Sequence, residues 1–379
     1  MSFLHRILHR TFSSTSLESS VSIKSISEDL YKEGDLKLLV DKFKKASEHP
    51  RFRTKSGIYE HTVRRLAVAK RFKWVEEILE DQKKYSDIQK EGFSARLISL
   101  YGDAGLCENA HKMFDELPER NCTRTVLSFN ALLAAYLRSK KFDMVDVFFK
   151  KLPSNLSIEP NLMSYNIVIK AYCEMGNPDQ AISLLEEMEK KGIEPDLITY
   201  NTLLDWLYRN DRFLDGEKLW SQMGEKTFAP NIRTYNARLR GLAKEKKTKD
   251  AVELFEKMKS EGIKPDMFTF NALIKGFVDE DDLDEAKKWY AEISNSEHDP
   301  NKITYVTLLP YLCGKGDLTT AFELCKDIFN IRCLVDPSIL QLVVDSLVKH
   351  SMITEAQEIV QLGETNDYRR YKLNFEADK

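Results

Sequence analysis

The chain of 379 residues sets 57 Lys and Arg against 60 Asp and Glu, a formal net charge of -3, with 42% hydrophobic and 31% charged residues. So even a balance excludes polyanion binding driven by global charge, and any RNA affinity has to come from a locally basic face. No uninterrupted apolar run approaches the roughly 20 residues that cross a bilayer, which argues against membrane insertion.

The six cysteines (Cys107, Cys122, Cys173, Cys313, Cys325 and Cys333) include no Cys-x-x-Cys pair, so neither a zinc site nor a disulfide framework is expected. Cys173 and Cys313 fall at one phase of a repeating pattern, on the buried side of a predicted helix. Packing in a reducing compartment is their expected role.

Residues 1–25 carry Arg6, Arg10 and Lys24, many hydroxyl residues and one acid, Glu18, with Phe3, Leu4, Ile7 and Leu8 at helical spacing. A basic, Ser-rich, acid-poor amphipathic start is expected to be an import segment that is removed in the organelle. Arginine and the apolar stripe come early enough to place the mitochondrial matrix ahead of the chloroplast.

From about Ser20 the chain repeats. Weak units over 20–54 and 56–90 lead into 91–125 and a 36-residue unit over 126–161. Units of 35 residues follow over 162–196, 197–231, 232–266, 267–301 and 302–336, and a partial unit starts at Pro337. A unit this small cannot bury its own apolar face and has to stack on a neighbour. The predicted fold is therefore all-α: an α-solenoid of stacked helix-turn-helix units over 26–363, about nine repeats and a C-terminal cap, with a polar tail over 364–379 expected to fray.

Within each unit Ser164, Thr199, Thr234 and Thr269 stand third and are predicted to cap a first helix. Tyr165, Tyr200, Tyr235 and Phe270 stand fourth, just inside it. A small residue at place 20 and apolar residues at places 23, 24 and 27, as in Ala251, Leu254, Phe255 and Met258, predict the buried stripe of a second helix. Trp220, Trp289 and Tyr290 sit on that stripe as core aromatics. Gly192 and Gly262, each followed by a proline, close it.

The string T-Y-N-x-L, read as TYNTLL at Thr199–Leu204 and TYNARL at Thr234–Leu239, with GIKPD at Gly262–Asp266, resembles the pentatricopeptide repeat family. Uninterrupted 35-residue units resemble its P-type branch, whose members bind RNA in plant organelles. The resemblance implies a right-handed solenoid that reads one base per repeat through the fifth and last residues. An amide at the fifth place suits a pyrimidine edge. Asn with Asp favours uracil, and Asn with Asn favours cytosine with some uracil.

Carried over, Asn130 with Asn161, Asn201 with Asn231 and Asn271 with Asn301 imply C or U, and Asn166 with Asp196 and Asn236 with Asp266 imply U. The expected partner is single-stranded C/U-rich organellar RNA resembling C-U-C-U-C. Met163, Ile198, Phe268 and Ile303, second in their units, are expected to sandwich bases, whereas Arg233 departs. Arg138, Arg209 and Lys244 are expected to meet phosphates, with Glu174 and Asp279 breaking that stripe. Val306 with Asp336, Ala95 with Thr125, and Glu60 with Lys90 fit no assignment.

So short a pyrimidine site recurs often by chance, so the resemblance also implies a second role, as a built-in component of the plant mitochondrial ribosome's small subunit. Catalysis is not expected: no His-x-Glu or paired-cysteine deaminase motif, phosphate loop or nucleophile arrangement exists. The acidic cluster Asp279–Asp282 reads as a solvated turn. No metal, cofactor or small-molecule substrate is expected.

Overall fold

A computed structural model describes residues 22–225 and 229–375. Among them there is no strand, and no helix is long and apolar enough to cross a membrane. The sequence leads one to expect a single uninterrupted array. The helices group into two compact units that divide between Ala171 and Tyr172, inside the helix Leu162–Glu174.

In the first unit the hairpins are Ile23–Lys32 with Leu36–Ala46, Ser56–Val68 with Phe72–Asp81, Glu91–Asp103 with Cys107–Asp115, and Val126–Arg138 with Phe142–Leu156. Residues 1–21 of the expected import segment lie outside the described residues. Its last residues do not: Ser22 caps the first helix, its hydroxyl accepting from the Ser25 amide at 3.1 Å.

The second unit contains Pro178–Lys190, then Leu197–Arg209 with Phe213–Gly224, Ile232–Lys244 with Thr248–Ser260, and Met267–Asp279 with Leu283–Ser294. Lys302–Lys315 with Leu318–Asn330 and Pro337–Lys349 with Ile353–Thr365 complete it. The unit expected to be partial from Pro337 is thus a whole hairpin. In both units first helices pack side by side, with the second helices behind them.

Aromatic pairs join one repeat to the next at a fixed phase. The ring at place 24 of a second helix meets the ring at place 4 of the following first helix: Phe149 with Tyr165 at 5.2 Å, Trp220 with Tyr235 at 5.6 Å, Phe255 with Phe270 at 6.0 Å and Tyr290 with Tyr305 at 6.5 Å. Such contacts contribute about 0.5–1.5 kcal/mol each beyond burial. Place 20 is small because the two helices of a hairpin cross there, and Ala181, Ala251, Ala286 and Ala321 are fully buried. Gly192 and Gly262 close their helices with φ of +74° and +78°, a conformation that a Cβ would penalise. Cys173 is buried as expected, while Cys313 is only half-buried.

Over its described residues the tail does not fray. After the last helix, Tyr371 is 1% exposed, its amide donates to the Gly363 carbonyl at 2.9 Å, and Arg332 pairs with Asp367 at 2.7 Å. The Asn374 backbone pairs with the Gln341 carboxamide at 2.8 and 2.9 Å. Tyr371 and Leu373 pack at Gly363, so the tail covers apolar surface of the last hairpin.

In the first unit, the helices Glu91–Asp103 and Val126–Arg138 approach so closely at Gly102 that a Cβ there would lie 2.4 Å from the Ala135 Cα. Backbone cannot yield as a flexible side chain can. Gly102→Val is expected to lower stability by about 1–3 kcal/mol, read as a shift in the urea unfolding midpoint.

Candidate nucleic-acid interface

The third-place hydroxyls are not the helix caps. The cap is the last residue of the preceding repeat: Asp196, Asn231, Asp266 and Asn301 accept helix N–H groups, and each forms a reciprocal box in which Thr199, Thr234, Thr269 or Thr304 accepts the cap's own amide. Asn161 does the same with Ser164. Physically the Asx side chain, standing in extended backbone just before the helix, reaches the free amides of the first turn, whereas the hydroxyl sits already inside the helix.

The capping oxygen also fixes the fifth residue. Asn130 Nδ2 donates to Asn161 Oδ1 at 3.0 Å, Asn201 to Asn231 at 3.3 Å, Asn236 to Asp266 at 3.0 Å and Asn271 to Asn301 at 3.2 Å. On the other side of the amide, hydroxyls of Ser164, Thr269 and Thr304 donate to Oδ1 of Asn130, Asn236 and Asn271 at 2.6, 2.7 and 2.8 Å. The circuit closes: cap amide to hydroxyl, hydroxyl to Asn Oδ1, Asn Nδ2 to cap Oδ1, cap Oδ1 back to the helix. Asn201 is the loosest member. Thr234 turns its hydroxyl to Asn231 instead, and Asn201 Oδ1 is buried without a partner. Asn166 lies in the first unit and Asp196 in the second.

These amides are sunk between repeats. Asn130, Asn236 and Asn271 are only 3%, 9% and 8% exposed, so a ligand meets an edge of each and not a free side chain. What remains unused is chemically specific. Asn130, Asn201, Asn236 and Asn271 each keep one amide N–H, since an Asn Nδ2 carries two hydrogens. Their caps keep the second δ atom: a carboxylate oxygen acceptor on Asp266, and an NH2 donor on Asn161, Asn231 and Asn301.

Beside them the second-place side chains stand out: Met163 is 56% exposed, Ile198 63%, Phe268 60% and Ile303 52%. Leu127, half exposed at the same phase and not singled out from the sequence, belongs with Met163. The expected phosphate-facing cations are all engaged with carboxylates: Arg138 with Asp103 at 3.1 Å, Arg209 with Asp205 at 3.2 Å and Lys244 with Asp211 at 2.7 Å. Such partly exposed pairs are worth about 0–1 kcal/mol, so a phosphate can replace the carboxylate at small cost.

Repeat 91–125 is built differently. Ala95 has no amide to hold the cap, and Glu91 takes over, accepting from the Thr125 and Ser128 amides at 2.7 and 3.1 Å. Burial opposes its ionisation, but the hydrogen bonds from Ser128 and Thr125 outweigh it and hold the carboxyl below its ordinary range. The acidic cluster is a turn, with Asp281 bound by Lys315 at 2.6 Å and Asp282 capping the next helix. Among the described residues no group of His, Cys, Asp and Glu has metal-ligand geometry.

The PPR repeat family profile matches residues 160–209, 195–244, 230–279 and 265–314, and the PPR repeat profile matches 96–122 and 127–155, together more than half of the chain. The chain is a pentatricopeptide repeat protein. Among relatives of this PPR chain, the small ribosomal subunit protein mS78 (rPPR3a) of Arabidopsis thaliana is 50% identical over 51% of this chain and 53% of that protein. The small ribosomal subunit protein mS79 (rPPR3b) of the same plant is 58% identical over 42% and 41%. The chain thus spans about half the length, or less, of these curated relatives. Among solved structures, the maize pentatricopeptide repeat protein PPR10 shares the fold at a TM-score of 0.54 and 18% identity, over 89% of this chain and 57% of that one.

Capping and presentation can be separated at Asp266. Asp266→Ala removes the cap and is expected to cost about 1 kcal/mol, whereas Asp266→Asn keeps Oδ1 and is expected to change stability by a few tenths; chemical denaturation of both variants measures the difference.

Proposed function

We propose that this PPR chain is a non-catalytic RNA-binding protein of mitochondria that holds a short C/U-rich single-stranded segment and works as a component of the mitochondrial ribosome's small subunit. The observation that carries the binding part is the closed amide circuit at Asn130, Asn236 and Asn271, which leaves one amide N–H and the second δ atom of the cap unpaired in each. The spare N–H of the fifth-place Asn suits O2, which both pyrimidines present. The second δ atom of the cap then sorts them: the Asp266 carboxylate oxygen accepts from uracil N3–H, while an Asn cap donates to cytosine N3. Met163, Ile198, Phe268 and Ile303 offer apolar surface on which bases stack, worth about 1–3 kcal/mol per base.

The ribosomal setting is supported by the resemblance to mS78 and mS79. It also suits the chemistry. A site of a few pyrimidines is too common to address one transcript, but it suffices where a larger particle supplies the remaining contacts. Cations that must first leave a carboxylate likewise favour a strand delivered by its surroundings over one captured from dilute solution.

Two measurements test this reading. Asp266→Asn is expected to move the preference at its position from uracil toward cytosine by about 1–3 kcal/mol in RNA-binding titrations, and unchanged discrimination refutes base reading there. In gradients of mitochondrial extract the protein is expected to sediment with small ribosomal subunits in near-equal amount. A light, RNase-sensitive peak in its place points to a transcript-specific factor.

A further inference from the structure

At the far ends of its first helices, about 15 Å along the axis from the fifth place, the first unit carries a charged feature outside the groove. The turn Lys70–Trp74 joins Ser56–Val68 to Phe72–Asp81, and its five residues enclose a shallow hollow of about 510 Å³ in which three cations surround two aromatic rings. Two repeats on, Lys140 and Lys141 precede Phe142 at the same places, in the turn from Val126–Arg138 to Phe142–Leu156. The turn between these two is Gly105 and Leu106, with no cation.

These cations differ from those of the groove. Arg138, Arg209 and Lys244 each face a carboxylate, whereas Lys70, Arg71, Lys73, Lys140 and Lys141 are exposed and none of their side chains has a hydrogen bond or ion pair among the described residues. The acids that follow Trp74 are already engaged: Glu76 accepts from Asn109 at 2.8 Å and Glu77 pairs with Lys44 at 2.9 Å. Lys70 and Lys140 stand in left-handed backbone at φ of +56° and +58°, the place that Gly105 and Gly316 fill at +76°. A Cβ is penalised there, so lysine stands against the preference of the backbone. The Arg71 guanidinium lies 5.4 Å from the centre of the Trp74 ring, and Phe72 beside it is 42% exposed.

We infer that this rim docks on the phosphate backbone of a double-helical RNA segment, with one unpaired base stacked on Phe72; the inference rests on the chain being an RNA-binding protein, but not on base reading in the groove. Neighbouring helices pack at about 8–10 Å, so two repeats set the cationic turns roughly 16–20 Å apart with an uncharged turn between them. A single strand laid along the rim brings phosphates to every turn. A double helix instead presents two rows of phosphates separated by a groove, and such helices are recognised by shape and backbone contacts. Ammonium and guanidinium groups without a carboxylate meet phosphates with no ion pair to break first. The exposed Phe72 ring, apolar among three cations, is a surface on which a base that has left its helix stacks.

The test uses the full chain and fluorescence anisotropy with three RNAs: a stem of about 16 base pairs, the same stem with one unpaired adenosine, and CUCUC. Both stems are expected to bind, the one with the unpaired base about tenfold tighter. Lys70→Gly combined with Arg71→Gln and Lys73→Gln is expected to weaken both stems about tenfold and to flatten the slope of log K against log salt by about 2–3, near 0.9 for each phosphate contact, with CUCUC affinity unchanged. Glycine suits the backbone at position 70, so this variant keeps its fold. Phe72→Ser is expected to remove only the preference for the unpaired base, and a preference that survives it overturns the stacking contact. Stems that do not bind, or whose salt slope is the same in the triple variant, overturn the docking rim. Loss of binding to phosphatidylglycerol vesicles in that variant, with no stem bound by the parent chain, overturns it in favour of a membrane surface. Failure of CUCUC alone removes the groove reading and leaves the rim standing.

Discussion

One kind of oxygen atom, the Oδ1 of Asn161, Asn231, Asp266 and Asn301, joins the start of the next helix to the fifth-place asparagine of its own repeat. It accepts the free amides of the following first helix and, in the same place, the side-chain amide of the fifth residue about 30 positions earlier. An acceptor present identically on Asp and Asn does the structural work, so the atom in which they differ has no part in the joint. The cap can therefore vary between the two residues without loss of the joint, and the surface alternates between acceptor and donor from repeat to repeat.

That arrangement makes the binding face rigid before any ligand arrives. A free asparagine on a helix surface samples several rotamers, and ordering it costs free energy on binding. Here the hydroxyl of the next repeat and the cap hold three of the amides from both sides, and the aromatic pairs hold the repeats that carry them. Asn201 shows what is lost without the hydroxyl: a longer contact to its cap and an unpaired carbonyl oxygen in a half-buried position. Repeat 91–125 shows the alternative in full. With alanine at the fifth place, a glutamate caps the next helix from a different position, and the space vacated becomes a charged cleft.

Electrostatics sets the strength of the interface more than its specificity. The cations in phase with the groove each face a carboxylate, in keeping with a chain of nearly balanced charge. A phosphate placed at these cations would exchange one anion for another, with little net gain in charge pairing.

The sequence by itself determined the period, the two helices of each unit, the small residue at their crossing and the phase of the asparagines, because all of these depend on spacings within one repeat. It also carried a sign of the true caps, an Asx three places before each Ser or Thr, although the hydroxyl was the more conspicuous residue. Only the tertiary structure decided which oxygen does the capping, that Ser164, Thr269 and Thr304 secure asparagines of the preceding repeat, and that the tail near Tyr371 folds back onto the last hairpin. The capping box is local, but the asparagine contacts and the tail contact join groups 33 or 34 residues apart, and no local pattern encodes those until the helices are packed.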